Sequence, residues 1–187
     1  METLQAIQKR CSLKGHCSGK EIEAEKLNKV LEAARWAPSA HNYQPWHFIV
    51  VQGRQAVETL VDGAFSEKNW VARSAAAIIV VCAKPGEDVI EAGKEYYLFD
   101  LGLAVENLLL AATDQGLVTH LILRFDEAKV RQILQIPEEF RVVIVTPLAY
   151  PAEGSYDSAA QERLGERTRK LPGEVVHYTK WLQGEDS

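Results

Sequence analysis

Residues 37–51 read Ala37-Pro38-Ser39-Ala40-His41-Asn42-Tyr43-Gln44-Pro45-Trp46-His47-Phe48-Ile49-Val50-Val51. Pro38 ends whatever helix precedes it, because proline disfavours a helical conformation in the residue before it. Small and amide side chains fill the space between the two prolines, so 39–45 is a polar turn pinned at both ends. From Trp46 onward, aromatic and β-branched residues predict a strand over 46–51, with Trp46 in the core. Upstream, Leu27, Val30, Leu31, Ala34 and Ala37 recur at the i, i+3, i+4, i+7 spacing of an amphipathic helix. A helix, a rigid turn and a strand thus follow directly on one another. Asn42 and Gln44 each offer a donor and an acceptor, the inventory for reading the edge of a planar heterocycle or for capping the loop's own backbone.

The same reading extends outward. Residues 1–9 make a short helix with Leu4, Ala6 and Ile7 on one face, and 10–20 form a basic loop with two glycines and no period. After the strand, helical spacing runs over 53–61 and a loop follows through Trp70. Residues 75–83 (AAAIIVVCA) are a continuous apolar strand of the kind buried on both faces. A connection with Pro85, Gly86 and Gly93 spans 84–93. The longest predicted helix, 94–115, carries Leu98, Leu101, Val105, Leu108, Leu109 and Ala112 and is apolar nearly all round, so it needs cover on every side. Gly116 stands where a left-handed C′ residue belongs. A strand over 117–123, a helix over 126–134 with Asp126 as N-cap and a strand over 142–148 complete the pattern. Strands alternating with helices predict an α+β fold, a single domain over 1–187 with a central mixed β-sheet flanked by helices. The polar tail from residue 153 is either disordered or docked on something such as a partner subunit.

Composition narrows the function classes. The chain has 187 residues, 47% of them hydrophobic and 25% charged, with 21 Lys+Arg against 26 Asp+Glu and a net charge of −5. That is globular composition, and a chain of this length buries roughly 70% of the surface its unfolded form exposes. The acidic balance and the scattered cations argue against nucleic acid. Three cysteines, Cys11, Cys17 and Cys82, are too few and wrongly spaced for a disulfide scaffold or a zinc site, and the histidines form no metal-ligating pair. The N-terminus shows no apolar leader segment. The longest apolar run, 101–112, is interrupted by Glu106 and Asn107 and is too short to span a bilayer. The expectation is a reduced, soluble, cytoplasmic protein without metal or membrane partner.

Basic residues gather near both ends: Arg10, Ser12 and Lys14, then Arg167 and Arg169. Alternation in an extended segment puts such side chains on one face, and guanidinium groups beside a hydroxyl suit a phosphate. A solvated charged surface has the same composition.

Here the residues resemble a family. Arg10-Cys11-Ser12-Leu13-Lys14, the helix ending at Ala37, and Ala37-Pro38-Ser39-Ala40-x-Asn42-x-Gln44-Pro45-Trp46 resemble the FMN-dependent nitroreductases, whose pattern is an R-x-S-x-R/K box, a helix, then A-P-S-x-x-N-x-Q-P-W. Asp100-x-Gly102-x-Ala104-x-x-Asn107-Leu108-x-Leu110-Ala111-Ala112 with Gly116-Leu117 is similar to the family's long dimer-forming helix. The final strand through Pro151 and Arg167-x-Arg169 resemble its closing strand and C-terminal arm. The small size is that of the short bacterial branch.

The resemblance implies a homodimer with FMN, bound non-covalently, at the subunit interface, the arm 153–187 reaching the partner. Arg10, Ser12 and Lys14 would hold the phosphate and the pyrimidine side of the flavin, with Arg169 and Arg167 on the phosphate and Cys11 a spacer within the box. Pro38, Ser39, Ala40, Asn42 and Gln44 would come from the partner subunit. Ile122, Leu123 and Arg124 would pass along the other side of the ring, a backbone N–H of Leu123 or Arg124 donating to N5. Asn69 matches an amide that the family places near the ring. A cation near N1 would stabilise negative charge on the reduced ring. The implied activity is hydride transfer from NADH or NADPH through FMN to a small electron-poor acceptor, a nitroaromatic or quinone, in ping-pong order, with the chemistry carried by FMN. A specialised flavin reaction, such as reductive dehalogenation or dehydrogenation, and a non-catalytic flavin-binding protein are the alternatives. The chain departs from the family where Leu121-Ile122-Leu123-Arg124-Phe125 replaces a Gly-rich stretch, where Ala149 replaces a glycine before Tyr-Pro, and where Lys14 loses the fork of an arginine. His120 reads as a satisfied core or interface histidine.

Overall fold

In the computed structural model, residues 1–12, 16–155, 165 and 167–181 are described, 68 and 70 by backbone alone. The chain runs α1 (Thr3–Lys9), α2 (Ala24–Arg35), β1 (Trp46–Gln52), α3 (Arg54–Ala64), β2 (Ala77–Ala83), β3 (Ile90–Glu91), β4 (Lys94–Glu95), α4 (Tyr96–Asp114), β5 (Val118–Thr119), α5 (Glu127–Leu134), β6 (Arg141–Ala149) and a last helical turn, Pro172–Val175.

Seven apolar residues in a row need cover on both faces, and β2 is buried at every position. It lies inside a sheet of order β1-β2-β6-β5, paired antiparallel throughout, with Trp46 opposite Ala83 and Ala77 opposite Leu148. Ser12 adds a parallel bridge to Thr119 at the β5 edge, which makes the sheet mixed. The pleat sorts the two cores. Ala77, Ile79, Val81 and Ala83 face α2 and α4, where Val30, Ala34, Leu101, Ala104 and Leu108 pack. Ile78, Val80 and Cys82 face α3 and α5, against Val57, Leu60 and Val130. This is an α+β fold with helices on both sides of the sheet. Trp46 is core, 7% exposed.

Asp126 caps α5, its carboxylate accepting the Lys129 N–H at 3.1 Å. Gly116 closes α4 at φ +73°: its N–H reaches Thr113 O and the Leu117 N–H reaches Ala112 O, a Schellman pair. A Cβ at Gly116 would meet nothing within 4 Å, so Gly116→Ala costs only the left-handed strain, about 1–2 kcal/mol. Thermal unfolding should fall by about 2–8 °C; an unchanged Tm would contradict the motif.

Three boundaries differ from the sequence reading. The strand expected over 117–123 is paired only at Val118 and Thr119. The His120 N–H goes to the Thr146 hydroxyl (3.2 Å) instead of a carbonyl, and strand contact resumes at Ile122 N–H to Val145 O, 2.8 Å. The connection 84–93 contains a hairpin, β3–β4, closed by Ala92 (φ 51°) and Gly93 (φ 75°). Consequently α4 starts at Tyr96 rather than 94. Among the described residues no helix is long and apolar enough to cross a membrane.

Candidate functional site

The last carbonyls of α1 have no intrahelical partner, and a cation from the far end of the chain meets them. Arg167 donates from its two terminal nitrogens to Arg10 O at 2.6 Å and Gln8 O at 2.8 Å. That fork brings the two basic clusters together: Gln8, Arg167 and Arg169 line a cleft of about 420 Å³ with Ile7 and Gly165. Arg169 donates to Thr168 O, and Arg10 lies 3.9 Å from Glu106. Cys11 and Ser12 follow, both half-buried, with Ser12 alongside Thr119. Lys14 lies outside the described residues.

Beyond this box the chain is tied to the end of β6. Ser18 N–H donates to Tyr150 O, Ala152 N–H to His16 O, and Cys17 bridges Pro151. The Tyr150 hydroxyl bonds Glu23 and accepts from Lys26, 2.6 Å away. The hydroxyl is the main reason that the Glu23 carboxyl is held down at about 2. Burial pushes the Cys82 thiol up to about 12, which suits a packing role.

β5 leads to the next group. Ile122 is 1% exposed and anchors the segment, while Leu123 is 79% exposed. The backbone N–H groups of Leu123 and Arg124 donate to nothing among the described residues. Buried Asn69 donates to Arg124 O and Ser66 Oγ, both at 3.1 Å, and so fixes the far end. His120 is half-buried. Ser12 thus reaches β5 at Thr119, and Asn69 holds the end of the segment that follows it.

The 38–45 turn is built differently. His41, Asn42 and Gln44 all have left-handed φ, 48°, 60° and 52°, a conformation that Asn and His adopt more readily than Gln. Its own groups hold it: Gln44 N–H donates to Ser39 Oγ (2.9 Å) and Gln44 Nε2 to Asn42 O (3.2 Å). One bond comes from outside, Ala40 N–H to the Asp100 carboxylate of α4 at 2.7 Å. Asp100 entered the sequence reading only as a motif position; its signal was a carboxylate within an apolar helix face. Pro38 is exposed, as is the Asn42 side chain, which bonds nothing among the described residues.

No hydrogen bond or ion pair joins this turn to the Arg10 group among the described residues. Their anchor points on α4, Asp100 and Glu106, are about 9 Å apart along the helix. Beside the turn, Tyr43 (54%), Leu98 (46%) and Phe99 (63%) are exposed. The donor set fits a flavin phosphate: guanidinium groups and a hydroxyl at one end, unused strand N–H groups at the other.

The profile of the Nitroreductase family matches residues 7–94 and 67–150. An Archaeoglobus fulgidus protein with the provisional name NADH dehydrogenase/NAD(P)H nitroreductase is 34% identical over 96% of this chain and 99% of its own length. The structure of a nitroreductase family protein from Clostridium novyi superposes with a TM-score of 0.77 at 35% identity, covering 82% of this chain and 87% of that one. A Clostridium difficile protein described as an FMN-dependent nitroreductase shares the fold at 22% identity, with a TM-score of 0.75 over 95% of this chain and 99% of its own. The chain belongs to the Nitroreductase family and is an oxidoreductase.

Proposed function

We propose that two copies of this chain bind FMN non-covalently between them and pass a hydride from NADH or NADPH to a small electron-poor acceptor, a nitroaromatic or quinone, in ping-pong order. The observation that carries this is the Arg167 fork onto Gln8 O and Arg10 O, which gathers cations from both ends of the chain at one cleft. The C. difficile relative's FMN dependence supports the choice of coenzyme, and the A. fulgidus name supports the choice of donor.

Bound FMN supplies the hydride acceptor and donor; the chain supplies its setting. Arg10, Ser12 and Arg169 would hold the phosphate and ribityl end, while Arg167 fixes the backbone of Gln8 and Arg10 beneath them. The N–H groups of Leu123 and Arg124 would serve the ring edge. Asn69 keeps that strand end in place. A fixed cation near the pyrimidine side favours negative charge there and so raises the tendency to accept electrons. Asn42 and Gln44 would come from the partner, in keeping with the lack of a hydrogen bond or ion pair between turn and box among the described residues. Tyr43, Leu98 and Phe99 are then covered by the second subunit. An open groove of about 990 Å³ runs along the edge of β1, and the partner's C-terminal arm would extend toward it. Cytoplasmic localisation belongs to the same proposal.

The absorbance spectrum of purified protein tests the reading, with mass identification of the chromophore released on denaturation. Yellow protein releasing FMN, bleached anaerobically by NADH or NADPH and recoloured by a nitroaromatic or quinone, is expected. Colourless protein that ignores added FMN overturns the coenzyme, and bound FMN that neither nucleotide bleaches overturns the reductase.

A further inference from the structure

Asp100 is the one buried carboxyl group among the described residues, 2% exposed on an otherwise apolar stretch of α4. A carboxylate in such a place needs donors, and the Ala40 N–H at 2.7 Å supplies one. Asp88 meets it from the turn before the β3–β4 hairpin. Asp88 Oδ1 accepts the Val89 N–H at 2.7 Å, and the Tyr96 N–H closes the hairpin onto Val89 O. Asp88 Oδ2 is buried and no donor among the described residues reaches it; the Asp88 side chain neighbours the Asp100 carboxyl.

Two ionised carboxylates are acceptors only and repel each other. One proton between them makes an O–H···O bond, gives the orphaned oxygen its partner and removes the repulsion. We propose that Asp88 and Asp100 share one proton, and that this acid pair is a positioning device which holds the Ala40 amide, and with it the Ser39–Gln44 turn, in the left-handed shape that meets the coenzyme. The consequence for the coenzyme rests on the FMN reading above; the shared proton does not.

The other charges on the surrounding elements are engaged elsewhere. Glu32 of α2 pairs with Arg35 (2.6 Å), Glu87 with Lys84 (3.0 Å), and Arg10 lies near Glu106. Glu91 stands opposite Lys94 across the hairpin, and Glu95 and His41 are exposed. The charge that acts on Asp100 is that of Asp88. Burial, and then Asp88, raise the Asp100 carboxyl above its ordinary value. The folded protein therefore keeps a proton that the unfolded chain releases near pH ~4. The stability this contributes is complete below that value and is lost as pH rises through the folded one. The turn is firmest on the acid side.

Asp100→Asn keeps the acceptor for Ala40 and gives Asp88 a permanent donor; Asp88→Asn does the converse. Infrared spectra of coenzyme-free protein near neutral pH should show a protonated-carboxyl stretch that both variants lack. FMN titrations from about pH 5 to about pH 8 should show the wild-type Kd rising about tenfold relative to either variant, the phosphate's own titration being common to all three. Absence of the carboxyl band overturns the shared proton. A band with a pH-independent Kd ratio overturns the positioning role. Wild type that takes up no FMN at any pH overturns the FMN reading, while the infrared band still decides the pair.

Discussion

Arg10→Ala is expected to leave the fold intact and to raise the FMN Kd about 10–100-fold, as judged by flavin fluorescence titration and by occupancy after dialysis. Arg10 follows α1 directly, its carbonyl held by the Arg167 fork, so the backbone under its side chain is fixed from both sides. Its side chain is 23% exposed, and the ion pair it makes among the described residues, with Glu106 at 3.9 Å, is half-exposed. A loose surface pair contributes about 0–1 kcal/mol, so little stability is at stake. A guanidinium bond to a phosphate is charge-assisted and contributes about 1.5–3 kcal/mol, which at 1.4 kcal/mol per decade sets the expected range. Added salt should erode wild-type affinity more than the variant's, because one screened attraction is already gone. Unchanged flavin occupancy after dialysis would refute the role assigned to Arg10.

Much of this scaffold was legible in the residues, for identifiable reasons. Seven apolar residues at 77–83 admit one placement, inside a sheet, and Gly116 after a long apolar helix admits one cap. The β3–β4 hairpin was not legible, because its turn needs positive φ at both central residues and Ala92, unlike Asn or Asp, gives no such signal. The strand over 117–123 broke where the Thr146 hydroxyl captured the His120 N–H, a side-chain competition that β propensity does not encode. In the site, the box and the turn were each readable as local patterns. The Arg167 fork, the Asp88–Asp100 contact and the Asn69 bond to Arg124 join residues far apart in sequence, so only the fold reveals them.

Ile122→Ala tests whether the Leu121–Phe125 segment is itself functional. The segment carrying Leu123 and Arg124 is held by few bonds: His120 N–H to Thr146, Ile122 N–H to Val145 O, and Asn69 to Arg124 O. The Ile122 side chain, 1% exposed among Val145, Val130 and Phe125, is its apolar anchor. Truncation removes that burial and leaves a cavity, at a cost of about 2–5 kcal/mol. Thermal unfolding of the coenzyme-free protein should fall by roughly 5–15 °C. With the anchor gone, the two N–H groups lose their fixed direction, and FMN affinity should weaken about tenfold as well. Ile122→Val costs only about 0.5–1.5 kcal/mol and should restore affinity nearly in full. A fall in Tm with unchanged FMN affinity would show that the coenzyme does not rely on this strand edge. An unchanged Tm would mean that the Asn69 and Val145 bonds hold the segment without its side chain.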